Sequence, residues 1–271
     1  MESNFTIGII GGYGKMGTFF KNFFEKKGYP VVLSGRNKGL EKIELVKQSK
    51  VILISVPIKV FPEIVKEISS YIEDHHWVID ICSLKAEPVK VMKDFIKKGE
   101  VLATHPLFGP YEKDLKGKII AIWRIKGDNL YKWFKSIMEE EKLNIIEISP
   151  EKHDQIMGLV QVLNHFWLIL LAKIINDSGL DLKDIVSLTT TSFFKQLDVL
   201  RRLSYQDARL YARIQLDNPY GKKFRDLLCK NCLEFNKALN LPEEEREKKF
   251  EEYFTLAKNI ASELEKLIQT Y

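Results

Sequence analysis

The sequence predicts an α/β fold, a mostly parallel sheet with helices over residues 1–149, followed by an all-helical region over residues 150–271. Three observations predict it. Short β-branched runs alternate with amphipathic stretches as far as Ile148, the pattern of βαβ units. Beyond Pro150 no extended pattern recurs and long helical periodicities take over. The change falls at Ser149-Pro150, where proline ends extended structure and can open a helix. The chain, 271 residues long and 45% hydrophobic, has room for one large domain or two ordinary ones.

The first strand, Thr6 to Ile10, runs into Gly12-Tyr13-Gly14-Lys15-Met16-Gly17, and a helix is predicted from Lys15 to Lys27. Gly12-x-Gly14-x-x-Gly17 between a strand and a helix is a dinucleotide fingerprint. Its glycines allow a tight turn, close approach of backbone to pyrophosphate, and close packing of helix on sheet, with the helix N-terminus facing the phosphates. Residues 12–17 are therefore candidate cofactor contacts in a Rossmann-like domain. The second strand, Val31 to Ser34, continues into Gly35-Arg36-Asn37, with no acid to bind the ribose hydroxyls. Ser34 and Arg36 suit a 2′-phosphate, so NADP is expected in preference to NAD.

Strand three, Val51 to Ser55, is followed by Pro57 and a helix from Val60 to Ile72. Strand four, Val78 to Ile81, leads to Ser83 and Lys85, then a helix from Pro88 to Lys98. Strand five, Val101 to Thr104, stops at His105. Strand six (Ile119 to Trp123), a helix (Asn129 to Glu141) and strand seven (Ile145 to Ile148) complete the sheet. The later helices are predicted at Glu151–Asp177, Leu182–Thr190, Gln206–Leu216, Gly221–Leu239 and Pro242–Gln269.

In an open parallel sheet, ligands sit outside the carboxyl ends of the strands. Ser55, Pro57, Ser83, Lys85 and His105 all close apolar runs, so they form a candidate rim beside a nicotinamide. His105 is the candidate base. Of the other histidines, His75 and His76 read as surface residues in a polar loop. His153, opening a helix, reads as a capping residue, and His165, in an apolar helix, reads as a satisfied core histidine.

The net charge of +5 is spread without a basic block, which favours small anions over nucleic acid. Cys82, Cys229 and Cys232 are too few for a disulfide framework and point to a reducing compartment. Cys229 and Cys232 have redox-motif spacing but no partner pair or nearby histidine, so structural roles and no metal site are expected. Phe5–Ile10 is too short for a signal peptide. Leu159–Ile175 is interrupted by Gln161, Asn164, His165 and Lys173 and reads as a buried helix, not a membrane span. A cytoplasmic protein is expected, with apolar helical faces that pair two copies.

Taken together, Gly11–Gly17, Ser55-Val-Pro-Ile58, Asp80-Ile-Cys-Ser-Leu-Lys85, His105-Pro-Leu-Phe-Gly-Pro110, His153-Asp-Gln155, Asn164-His-Phe166 and Arg202-Leu-Ser-Tyr-Gln-Asp207 resemble the prephenate dehydrogenases in order and approximate spacing. The resemblance covers nearly the whole chain. It implies oxidative decarboxylation of prephenate to 4-hydroxyphenylpyruvate in tyrosine biosynthesis, on a nucleotide domain followed by a helical dimerisation domain. It further implies that His105 accepts the hydroxyl proton, that Ser83 orients hydroxyl, histidine and nicotinamide, and that Arg202 grips the ring carboxylate. By the same resemblance His165 becomes a substrate contact, Lys85 adds positive charge for the dianionic substrate, and Tyr211 falls at a position tied to substrate or tyrosine binding. Glu112 stands near a position where some members carry a gating acid. Arogenate dehydrogenase is the nearest alternative. A β-hydroxyacid dehydrogenase or imine reductase would carry its acid or base on the helical domain, and an NADP-sensing protein would bind without turnover.

Overall fold

The computed structural model describes residues 5–268. Seven strands form one sheet: β1 (Ile7–Ile10), β2 (Val31–Ser34), β3 (Val51–Ile54), β4 (Trp77–Asp80), β5 (Glu100–Pro106), β6 (Ile119–Lys126) and β7 (Asn144–Glu147). Their order is β2-β1-β3-β4-β5-β6-β7, parallel throughout except for the antiparallel β5–β6 pair. All seven predicted strands are present, with ends shifted by up to a few residues. The order reverses between β1 and β3, which opens a crevice at their carboxyl ends.

Helices α1 (Lys15–Lys26), α2 (Lys42–Gln48), α3 (Phe61–Ser69), α4 (Ala86–Phe95) and α5 (Asn129–Glu140) connect the strands. Alternate strand residues feed two cores, as a period of two requires. Ile7, Ile9, Val51 and Leu53 pack with Phe20 and Phe24 of α1 and Phe134 of α5. Ile10, Ile52 and Ile54 pack on the other face with Leu45 of α2, Val65 of α3 and Met92 of α4. Helix α2 was not expected: with seven residues, of which Leu45 and Val46 are buried, it is too short to show a helical period.

Among the described residues, every secondary-structure element from Pro150 onward is a helix. α6 (Pro150–Met157) passes through a π-helical turn (Gly158–Leu163) into α7 (Asn164–Asp177). Then follow α8 (Leu182–Ser187), α9 (Thr191–Arg201), a short 3-10 turn (Arg202–Tyr205), α10 (Ala208–Asp217), α11 (Gly221–Ala238) and α12 (Glu243–Ile268). α9 was also unexpected, and the Thr190 hydroxyl caps it by accepting the Phe193 amide. The expected end of the last helix at Gln269 lies outside the described residues.

The chain divides into two compact units, one through Gly221 and one from Lys222. In the second, α12 is paired with α11 through Phe235, whose ring lies 4.7 Å from that of Tyr253 and 6.2 Å from that of Phe250. Cys229 and Cys232 are exposed thiols on α11.

The long helix through α6 and α7 corrects one expectation. The sequence predicts a buried helix, yet Leu159, Val160, Ile169 and Ile174 are about half exposed. Among the described residues, Pro150–Asp177 is the one helix long and apolar enough to cross a membrane; an apolar 18-residue window within it has mean hydropathy 1.7 and is only 22% buried. Its first turns are instead held against the sheet, where His153 and Asp154 are both 1% exposed.

Candidate active site

The glycine loop is tight for a physical reason. Gly11 has φ +80°, and a Cβ there would meet the Ser55 carbonyl oxygen at 2.1 Å. A Cβ on Gly17 would lie 2.3 Å from the Gly11 oxygen, so only glycine lets α1 start this close to β1. The Gly11 and Gly12 amides donate to the Ser34 carbonyl at 2.8 and 3.1 Å. No side chain caps the N-terminus of α1, which leaves the amides of its first turn, from Lys15 to Gly17, for an anion. Ser55 and Pro57 follow β3 across the crevice, and the Ser55 amide donates to Ile10 at 2.8 Å. The loop, cleft and uncapped helix fit a dinucleotide pyrophosphate.

After β2 the chain makes a turn closed by Gly35 N–H to Lys38 O at 2.9 Å, with exposed Arg36 at its tip. Ser34, expected to meet a 2′-phosphate, is only 2% exposed, so Arg36 is the accessible group of the two. Lys38 lies 4.0 Å above the Tyr13 ring. A cleft of about 580 Å³ opens between the start of α1 and the segment after β5, lined by Tyr13, Lys15, Thr18, Tyr111 and Lys113. Glu112 lines it too, but pairs with Lys118 at 3.0 Å.

At the ends of β4 and β5 the polar groups are buried and mutually bonded. Asp80 ends β4. Its Oδ2 accepts from the Cys82 amide at 2.9 Å and from Lys85 Nζ, which also donates to the Thr104 carbonyl at 2.5 Å. Lys85 therefore departs from its expected role: it is 2% exposed, and its charge is committed to Asp80 instead of being offered to a substrate. Ser83, half-buried, lies in the loop these bonds hold. His105 stands two residues beyond Ala103, whose strand partner is Asp80, so Ser83 and His105 close neighbouring strands. Three strand spacings, about 14 Å, separate β5 from β1.

His105 is 4% exposed, and its Nδ1 lies 2.9 Å from His153 Nε2. His153 Nδ1 lies 2.8 Å from Asp154 Oδ1. Asp154 accepts the Lys85 and Ala86 amides at 2.8 and 2.9 Å. His153 is thus no capping residue; Ser149 caps α6. Burial, with lesser effects from His153 and Lys85, holds the His105 pKa well below its usual value and keeps the ring neutral. His76, expected at the surface, is buried. Its Nδ1 accepts the Glu73 amide at 2.8 Å and its Nε2 meets the Val46 carbonyl at 3.1 Å, a structural role.

The helical half contributes a second cluster. His165 stacks on Tyr211, ring centres 4.0 Å apart at 18°. Its Nδ1 is buried without a hydrogen-bond partner among the described residues, as is Gln161 Oε1 one turn earlier. Burial lowers the His165 pKa to about 4. Burial raises that of Tyr211, against the nearby charge of Arg202, which brings Arg202 into the same cluster. Arg202 is exposed, whereas Arg201 is bonded to Asp198 at 2.6 Å. Lys15 Nζ donates to the Tyr205 carbonyl at 2.9 Å, tying the glycine loop to the Arg202 turn. The π turn matters here. Residues twelve apart in an α-helix stand about 120° apart, and one extra residue in a wide turn reduces this to about 20°. His153 and His165 therefore share a face.

Residues 33–118 match the family model for the prephenate dehydrogenase nucleotide-binding domain, and residues 149–256 that for the prephenate dehydrogenase dimerization domain. The chain is 30% identical over 256 residues to a probable arogenate/prephenate dehydrogenase of Methanocaldococcus jannaschii, covering 88% of this chain and 57% of that protein. It is 26% identical over 209 residues to the T-protein of Haemophilus influenzae, covering 77% and 55%. The chain thus spans little more than half the length of these curated relatives. The crystal structure of prephenate dehydrogenase from Aquifex aeolicus with hydroxyphenyl propionate and NAD+ shares the fold, at TM-score 0.71 and 20% identity, over 96% of this chain and 98% of that one.

Proposed function

Because the chain belongs to the prephenate dehydrogenase family, we propose that it oxidises prephenate to 4-hydroxyphenylpyruvate, with loss of carbon dioxide, as a step of tyrosine biosynthesis. The observation that carries this reading is His105: a neutral, buried imidazole at the carboxyl end of β5, beside a crevice built for a dinucleotide. A bound nicotinamide supplies the acceptor for the hydride that leaves the ring carbon bearing the hydroxyl. His105 takes the hydroxyl proton as that hydride departs. When the ring carboxylate leaves as carbon dioxide, its bonding electrons aromatise the ring. The oxygen then takes the proton back, and His105 ends as it began.

Ser83, beside His105 on the rim, orients the hydroxyl. Arg202 binds the ring carboxylate, for which its planar fork is suited. The buried Nδ1 of His165, unpaired among the described residues, and the stacked Tyr211 complete the substrate side. NADP is the preferred cofactor on this reading, supported by exposed Arg36 and by the absence of an acid at the end of β2. The half-exposed apolar row on α7 and the match to a dimerization domain support a homodimer. Arogenate has the same ring chemistry, and the Methanocaldococcus relative is named for both substrates.

The test is the rise in reduced-nicotinamide absorbance with prephenate or arogenate, each against NAD and NADP. Turnover with prephenate supports the reading, and no turnover with either substrate sinks it. Equal efficiency with both cofactors, unchanged in Arg36→Ala, removes the NADP preference. Light scattering at micromolar concentration reports the dimer; a monomer overturns it.

A further inference from the structure

The arrangement behind His105 carries more than a contact. Asp154 Oδ1 accepts the Lys85 amide and Oδ2 accepts the Ala86 amide, so the carboxylate is fixed from two sides by backbone donors that cannot turn away. Its side chain is buried, and its own carbonyl is held by Asn218 Nδ2 at 2.9 Å. An oxygen already accepting one backbone proton can only accept from His153 Nδ1, 2.8 Å away, so His153 carries its proton on Nδ1. In a neutral ring the other nitrogen is then a lone pair, and His153 Nε2 faces His105 Nδ1 at 2.9 Å. His105 must therefore donate from Nδ1, which leaves its Nε2 lone pair directed away from the pair.

We propose that His153 and Asp154 are positioning residues that lock the tautomer of His105, holding the proton on Nδ1 and keeping Nε2 as the acceptor for a substrate proton. The proposal rests on the dehydrogenase reading for its consequence, though not for its geometry. Either tautomer is open to a neutral imidazole, and only one leaves the substrate-facing nitrogen able to accept. The lock spans both parts of the fold, with His105 on β5 and His153-Asp154 on α6, while the amides that fix Asp154 come from the loop after β4. Docking of α6 on the sheet thus sets the protonation state of the base. No step moves a proton along the chain of residues: the hydroxyl proton rests on His105 Nε2 and returns to the product oxygen.

Nitrogen-15 NMR of the ligand-free protein, labelled at histidine, reads the tautomer directly, with His105 assigned from the signals lost in His105→Asn. The expected result is a protonated Nδ1 and a bare Nε2 on His105. A protonated Nε2 in the wild type overturns the proposal whatever the enzyme's activity. Two variants give the functional arm. His153→Gln retains a carbonyl oxygen to accept from His105 Nδ1, and His153→Leu does not. The expected kcat loss is about 100-fold in His153→Leu and below about 10-fold in His153→Gln, with KM for prephenate within about threefold of wild type in both. Equal losses in the two variants, or a kcat in His153→Leu close to wild type, refute the lock. Should His153→Leu fail to fold, the wild-type spectrum still decides. Lack of turnover in the wild type with a bare Nε2 would count against the dehydrogenase reading alone.

Discussion

The two halves of the candidate site are built in opposite ways. On the sheet side the polar groups around the candidate base are buried and satisfied: Asp80, Lys85, Thr104, His105, His153 and Asp154 are all at most 4% exposed and bonded to one another or to backbone, with Ser83 half-buried beside them. On the helical side Arg202 is exposed, and the buried Nδ1 of His165 has no partner among the described residues. The sheet side is complete before any ligand arrives, as a base that must be aimed requires. The helical side is left with unmet donors and acceptors, as a surface that takes up an anionic substrate requires. On the proposed reading, the difference gives chemistry to the strand ends and binding to the helices.

That division can be broken by variants in each half. The largest expected effect is in His105→Asn, where kcat falls about 1,000-fold or more while KM for prephenate stays close to wild type. An unimpaired kcat would move the base elsewhere. Arg202→Gln is expected to do the reverse, raising KM roughly 10- to 100-fold, the range of a lost charge-assisted hydrogen bond, with kcat within a few-fold. A collapse of kcat at constant KM would dissolve the distinction between the halves. His165→Phe keeps the stack on Tyr211 and loses the polar nitrogen. KM is expected to rise about fivefold while the melting temperature holds or rises, because an unpaired buried polar atom is removed. A melting temperature several degrees lower would mean that His165 is satisfied in solution.

The smallest effect concerns stability against pH. Burial holds His76, His105 and His165 below the ordinary histidine value, so each binds its proton more readily in the unfolded chain. Stability is then fully present above about pH 6.5 and is lost as pH falls, by up to about 1.4 kcal/mol per pH unit for each histidine. A melting temperature that is flat or rises between about pH 6.5 and pH 5 contradicts these shifts.

The same contrast governs what could be read from the sequence. The seven strands and their terminal residues were legible because short, nearly continuous apolar runs stop at or close to Ser34, Ser55, Ser83 and His105. A polar residue at such an end has few other reasons to be there. His153 was illegible for the opposite reason. A histidine in the first turns of a helix fits capping equally well, and only the docking of α6 on β5 gives it His105 as a partner. Lys85 was visible as a residue but not in its role, since its partner Asp80 lies on the preceding strand and burial is a property of the fold. His76 failed likewise: its partners are the Glu73 amide and the Val46 carbonyl, and backbone groups leave no mark in a sequence. Arg202, His165 and Tyr211 came from family resemblance, because helical periodicity alone does not separate a ligand-facing histidine from a core one. The π turn that sets His165 on the face of His153 has no periodicity signal of its own.

The central claim is that His105 is the base, held neutral by burial before substrate binds. The pH dependence of kcat/KM for prephenate, measured for wild type and for the residual activity of His105→Asn, tests it most directly. In the wild type the profile is expected to stay level down through about pH 6.5 and to fall only at lower pH, since the pKa of His105 lies well below its usual value. That acid limb is expected to vanish in His105→Asn. An acid limb of the same position and steepness in both proteins would contradict the account, because the proton would then be taken by another group.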